Sequence, residues 1–170
     1  MSPEENGAIT GLMRLRREIS EDINVLEKRQ DDAQEVLVKW GDEPPAREYL
    51  VFGAVAIHGW YTALESLCER IAREIDQEIP QGEASHRLLL SQAMTELPDR
   101  RPAIIDPKLA TDLLALLSFR HFFRHAYAVD IDHERLQVEL RRLMRVHQPV
   151  LQTLSAFDAF LIVTIDSIRK

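Results

Sequence analysis

Between Tyr49 and Ile75 apolar residues fall on nearly every side of a helix: Leu50, Phe52, Val55, Ile57, Trp60, Tyr61, Leu64, Leu67, Cys68 and Ile71 among them. A helix that is apolar on most faces cannot sit at an edge and must be wrapped by others. The stretch therefore predicts a central helix over 46–79 with a bundle built around it. Gly53 and Gly59 each cost about 1 kcal/mol against Ala inside such a helix. The return predicted for that cost is the close approach of a neighbouring helix. His58, in the same stretch, reads as a packed, hydrogen-bonded core residue rather than a catalyst.

The flanking sequence supplies the neighbours. Ile9, Leu12, Leu15, Ile19, Ile23, Leu26, Ala33, Leu37 and Trp40 recur at threes and fours, which predicts one long amphipathic helix over 8–40. Its apolar stripe is thin, so it reads as peripheral or as lying along a partner, with Met1–Gly7 a polar lead-in. Gly41, Pro44 and Pro45 end it. A shorter helix is expected over 83–97, then a proline-bearing connection with Arg100 and Arg101, read as solvated cations or as guides for RNA. Asp106 before Pro107 is a favourable helix start, and Asp132 with Glu134 is another. Pro149 is expected to kink or restart the last helix, and Val150–Ile168 carries the last apolar stripe. With six Gly in 170 residues and few β-branched runs, the fold class is all-α. The expectation is a single helical domain over 1–170, an up-and-down bundle of five or six helices, without internal repeats.

Charge bounds the function. The formal net charge is −7, which argues against broad, nonspecific binding of nucleic acid. The charge is uneven. Residues 1–50 hold seven Lys/Arg against twelve Asp/Glu, whereas residues 114–147 hold six Arg against four acids. A local positive patch is compatible with an acidic protein, and the acidic remainder suits a basic protein partner or plain solubility. Cys68 is the single cysteine, so an internal disulfide is impossible and a reducing compartment is expected. No early basic-then-apolar stretch resembles a signal peptide, and no apolar run is read as reaching the roughly 20 residues of a membrane span. The cytoplasm is the expected location, with no membrane partner.

Chemistry concentrates at Arg120–Tyr127, which reads Arg-His-Phe-Phe-Arg-His-Ala-Tyr. A solvated face has no use for the rings, and a buried one would not tolerate the cations. The mixture describes a crevice wall. Arg offers a permanent forked charge suited to phosphate, and His exchanges protons near neutral pH. The alternative is a helix end whose His and Arg cover neighbouring carbonyls while Phe122 and Phe123 enter the core. On a regular helix Arg120, Arg124 and Tyr127 share a face, whereas His125 lies about 140° around the axis from Arg120. Either the helix distorts near His125, or two copies meet and each lends part of one site.

Arg120, four residues, His125, one residue, Tyr127 resembles the signature of the HEPN ribonucleases in the form carried by HepT toxins, and His121 fits the polar residue that often follows the Arg. The resemblance implies a HEPN-like bundle, a homodimer with two motifs facing across a two-fold axis, and metal-independent cleavage of RNA without a cofactor. The 2′-hydroxyl would attack the adjacent phosphorus and leave a cyclic phosphate. In that scheme His125 moves the proton and Arg120 stabilises charge on the phosphoryl oxygens. His121 and Arg124 would touch RNA, each with surface solvation or an ion pair as an equal alternative. Transfer RNA is the substrate the resemblance favours. Tyr127 is the implied site at which a separate minimal nucleotidyltransferase antitoxin attaches AMP, adding bulk and negative charge at the cleft mouth; its alternative is an aromatic packed beneath the cleft.

Two rivals come from other classes. His121 and His125 stand at i, i+4 with Asp130, Asp132 and His133 nearby, which would suit a metal-dependent hydrolase. Glu83 and His86 form one Glu-x-x-His pair, where a di-iron bundle needs two. A noncatalytic helical adaptor explains the acidic first helix equally well but leaves the crowding at 120–127 without a reason.

Overall fold

The computed structural model describes residues 2–125 and 131–170, and the side chains of all of these except Arg124 and His125. Among them are five α-helices and no strand: α1 (Pro3–Val38), α2 (Arg47–Ile71), α3 (Ser85–Ala93), α4 (Ala110–His125) and α5 (His133–Ile168). The chain is all-α, a HEPN-like helical bundle. Cross-helix contacts give the directions. Val36 lies beside Gly53 and Asp22 beside Arg70, so α1 and α2 are antiparallel. Arg120 reaches Glu65 and Thr62 while Phe123, further along α4, lies beside His58, so α4 also runs against α2. Asp112 meets Arg142 while Arg135 lies over Phe119, so α5 runs against α4 and beside α2.

The helix ends explain several departures from the sequence reading. α1 starts at Pro3, earlier than the apolar stripe, because Ser2 and Glu5 form a reciprocal capping box with Pro3 at the first helical position. α2 gives way at Ala72–Asp76 to a π-helical turn, and Gln77 then adopts a left-handed φ of 60°. The helix thus stops short of the expected 79. Pro149 does not restart the helix: α5 is continuous from His133 to Ile168 with the proline inside it. Val146, His147, Val150 and Leu154 are buried on either side of it, and this packing works against the cost of a proline in a helix interior, roughly 3 kcal/mol.

Trp60, Ile57, Leu64, Leu67 and Ile71 of α2 are almost wholly buried, and α2 is the central element. The close approach predicted at its glycines is present. A Cβ on Gly53 would lie 3.2 Å from both Leu140 Cδ1 and Val36 Cγ1, and one on Gly59 would meet the Arg29 side chain. α5 carries a stretch that is long and apolar enough, by length and composition alone, to cross a membrane, which the sequence reading had not recognised. In this fold Leu154, Phe157, Leu161 and Ile165 of that stretch face the core, and Asp158 pairs with Arg16 of α1 at 2.6 Å.

Candidate functional site

Arg120 sits on the inner face of α4 and is 8% exposed. A cation there needs a built-in counter-ion, and α2 supplies it. Glu65 accepts from Arg120 Nη1 at 3.2 Å and lies 3.0 Å from Nη2, while Thr62 Oγ1 accepts from Nε at 3.1 Å. The Tyr61 ring lies under the guanidinium, 5.8 Å from its centroid. Burial pushes the Tyr61 hydroxyl above its ordinary range. Cys68 is also buried, and its thiol is pushed up to about 12, which leaves it inert as a nucleophile.

Glu65 has a second client. Its Oε2 lies 2.7 Å from His86 Nδ1, on the first turn of α3. The three residues form a relay from the bundle interior to its surface: side-chain exposure is 9% at Arg120, 9% at Glu65 and 38% at His86. His86 then opens onto a cleft of about 230 Å³ between α3 and α4, lined also by Glu83, Arg87, Leu114, Leu117, Ser118 and His121. His121 is exposed and lines that cleft from α4.

Two of the predicted site side chains, Arg120 and His121, are described, and their surroundings differ. Arg120 faces inward and His121 faces the cleft. His125 is the last residue of α4, and the backbone register sets it one turn beyond His121. The side chains of Arg124 and His125, and all of Tyr127, lie outside the described residues. Phe123 packs on the core with its ring 6.1 Å from that of His58, whereas Phe122 is 45% exposed with the Arg135 guanidinium 4.9 Å above it. His58 is half-buried against that ring. Among the described residues no three His, Cys, Asp or Glu converge as a metal shell; the pair of His121 with His125 and Asp130 lies partly outside them.

The expected basic patch is thinner than the sequence count. Arg142 pairs with Asp112 and Glu139, and Arg145 with Asp112, so part of the arginine excess over 114–147 is neutralised between α4 and α5. Arg101 corrects the sequence reading outright. It is neither solvated nor placed to guide RNA, because its side chain is 0% exposed and holds Asp76 in a fork of two 2.6 Å bonds.

Sequence reasoning missed Glu65 and Thr62, and weighed His86 only as half of a metal pair. A signal was present. Glu65 interrupts a helix that is apolar nearly all round, and a carboxylate in that position requires a cationic partner from another element. Nothing in the sequence says which cation. His147 was likewise unread: it is 4% exposed, and its Nδ1 accepts from the Trp60 indole at 3.1 Å.

The geometry can be set beside known proteins. No curated protein matches the chain. Residues 53–161, which span most of α2, all of α3 and α4, the motif and most of α5, match the family model described as HepT-like protein. That segment covers more than half of the sequence and holds both ends of the Arg120–Glu65 pair, so the chain belongs to the HepT-like family of HEPN-domain proteins.

Proposed function

We propose that this protein is a metal-independent endoribonuclease toxin of a toxin–antitoxin system, active as a homodimer. The observation that carries the reading is the Arg120, His125, Tyr127 spacing, which lies inside the segment that matches the HepT-like family. Arg120 is anchored to the core by Glu65, and the register carries position 125 away from it, which favours a site completed by a second copy. The exposed Phe122 ring beside the motif offers apolar surface for such a contact. His125 exchanges the proton of the 2′-hydroxyl, Arg120 supplies positive charge to the phosphoryl oxygens, and His121 and Arg124 contact the RNA backbone. The substrate class is transfer RNA. A separate minimal nucleotidyltransferase silences the toxin by placing AMP on Tyr127.

Incubation of the purified protein with total RNA in EDTA, followed by sequencing of the ends, tests this. New 2′,3′-cyclic phosphate and 5′-hydroxyl ends are expected, with DNA untouched. His125→Ala should slow their appearance by about 10²–10⁴-fold, the usual yield of a general acid or base. Cleavage that is absent, or unchanged in that variant, overturns the reading.

One observation favours a second reading, a noncatalytic adaptor. In the single chain the Arg120 guanidinium is engaged by Glu65 and Thr62 rather than presented to solvent. An adaptor would cut no RNA and would bind its partner equally well with His125→Ala.

A further inference from the structure

Cleavage by a neighbouring hydroxyl needs two proton transfers. One proton leaves the 2′-hydroxyl, and another must reach the 5′ oxygen as its bond to phosphorus breaks. The motif on α4 brings one imidazole to this task at position 125. The fold places another, His86, across a cleft from His121, one helical turn before that position.

His86 has the surroundings of a proton-transfer group. A carboxylate on Nδ1 fixes the ring and leaves Nε2 as the nitrogen available to a ligand. Here that carboxylate is Glu65, itself held in place by Arg120. The inner side of the ring closes on Tyr61, Leu64, Cys68, Leu89 and Leu90 around a void of about 10 Å³, at the lower limit of what one water requires. The outer side opens on the 230 Å³ cleft. The dyad is thus closely packed behind and open in front. Charged and titratable groups face it from each element around the cleft: Glu65 from α2, Glu83 and Arg87 at the start of α3, His121 from α4. His121 stands one helical turn before position 125, so the cleft runs toward the motif.

We propose that His86, aligned by Glu65, is the general acid that protonates the departing 5′ oxygen; the assignment rests on the ribonuclease reading above. The 2′ oxygen bonds to phosphorus as His125 takes its proton. The P–O5′ bond breaks, its electron pair moves to O5′, and O5′ takes the Nε2 proton of the His86 imidazolium. His86 is left neutral with its Nδ1–H on Glu65, His125 is left protonated, and exchange with solvent restores both. Arg120 then has a positioning role as well, since it fixes the carboxylate that aligns the acid.

The test uses the full-length chain and two synthetic oligoribonucleotides spanning a cleavage position mapped on total RNA. They are identical except that one carries sulfur in place of the bridging 5′ oxygen, and a thiolate departs without protonation. His86→Gln should slow the oxygen substrate by about 10²–10⁴-fold and leave the sulfur substrate close to the wild-type rate. His125→Ala should slow both. His86→Asn repeats the comparison, so that poor folding of one variant cannot stand in for either result. Equal slowing of both substrates, or of neither, overturns the role of His86 while the ribonuclease reading stands. A wild-type chain that cuts no RNA during mapping overturns both.

Discussion

Among the described residues two arginines are buried against carboxylates, and they do different work. Arg101 is enclosed on every side. Its fork holds Asp76 at the end of the π-helical turn, and its remaining donors reach the carbonyls of Thr95, Pro102 and Gln92. Gln92 of α3 also donates to Asp76. This network clamps α3 and the loop that follows it to the end of α2. Arg120 also meets a carboxylate through two nitrogens, but its network has an open end, because Glu65 continues to a half-exposed His86 at a cleft. A closed polar network fixes geometry, whereas one that reaches solvent through a titratable group can pass that geometry to a ligand. The clamp also serves the relay, since His86 and Gln92 lie on the same short helix.

Breaking the clamp should have the largest effect on stability. Arg101→Met leaves Asp76 buried without its partner, and we expect a loss of about 3–5 kcal/mol in urea unfolding. Arg120→Met should cost less, about 1.5–3 kcal/mol, because Glu65 retains His86 and lies nearer water, yet it should abolish RNA cleavage. Equal destabilisation by the two substitutions would erase the distinction between closed and open networks.

A smaller effect follows from His147, which sharpens the comparison with His86. Burial lowers the His147 pKa, with Glu27 and Asp31 acting weakly the other way, and its Nδ1 is occupied by the Trp60 N–H. The folded chain therefore resists the imidazolium that the unfolded chain accepts near pH 6.5. The stability held by neutral His147 is complete above that value and is lost as pH falls from it toward the lower folded pKa. Unfolding free energy measured from pH 7.5 to 5 should fall in the wild type more steeply than in His147→Leu. Equal slopes would show that the ring carries no such penalty.

The smallest effect is expected at Asp112. Hydrogen bonds from Arg145 first, and from Arg142, hold its carboxyl below the usual range, against a partial opposing effect of burial. Its contribution is present above the unfolded carboxylate pKa and lost as pH falls through the lower folded one. The Arg145 side chain is 62% exposed, so screening keeps the pair weak. Asp112→Asn should cost about 0–1 kcal/mol at neutral pH, measured by urea unfolding. A cost as large as that of Arg101→Met would mean that exposure is not what separates these ion pairs.

The sequence by itself determined the helical class, the central place of α2 and the run of α4 into the first residues of the motif. Each rests on a local signal: apolar period, helix caps, and residue spacing along one chain. The same local reading left a restart open at Pro149, where α5 is continuous, and failed at Arg101, which sits in a polar loop by sequence and in the interior by structure. Only the tertiary structure decided which carboxylate meets which cation. Glu65 joins Arg120 across 55 positions and His86 across 21, and no period or spacing encodes such a meeting. Partner choice is set here by the angle and depth at which α2, α3 and α4 pack, because burying a charge is tolerated only where an opposite charge is brought to it.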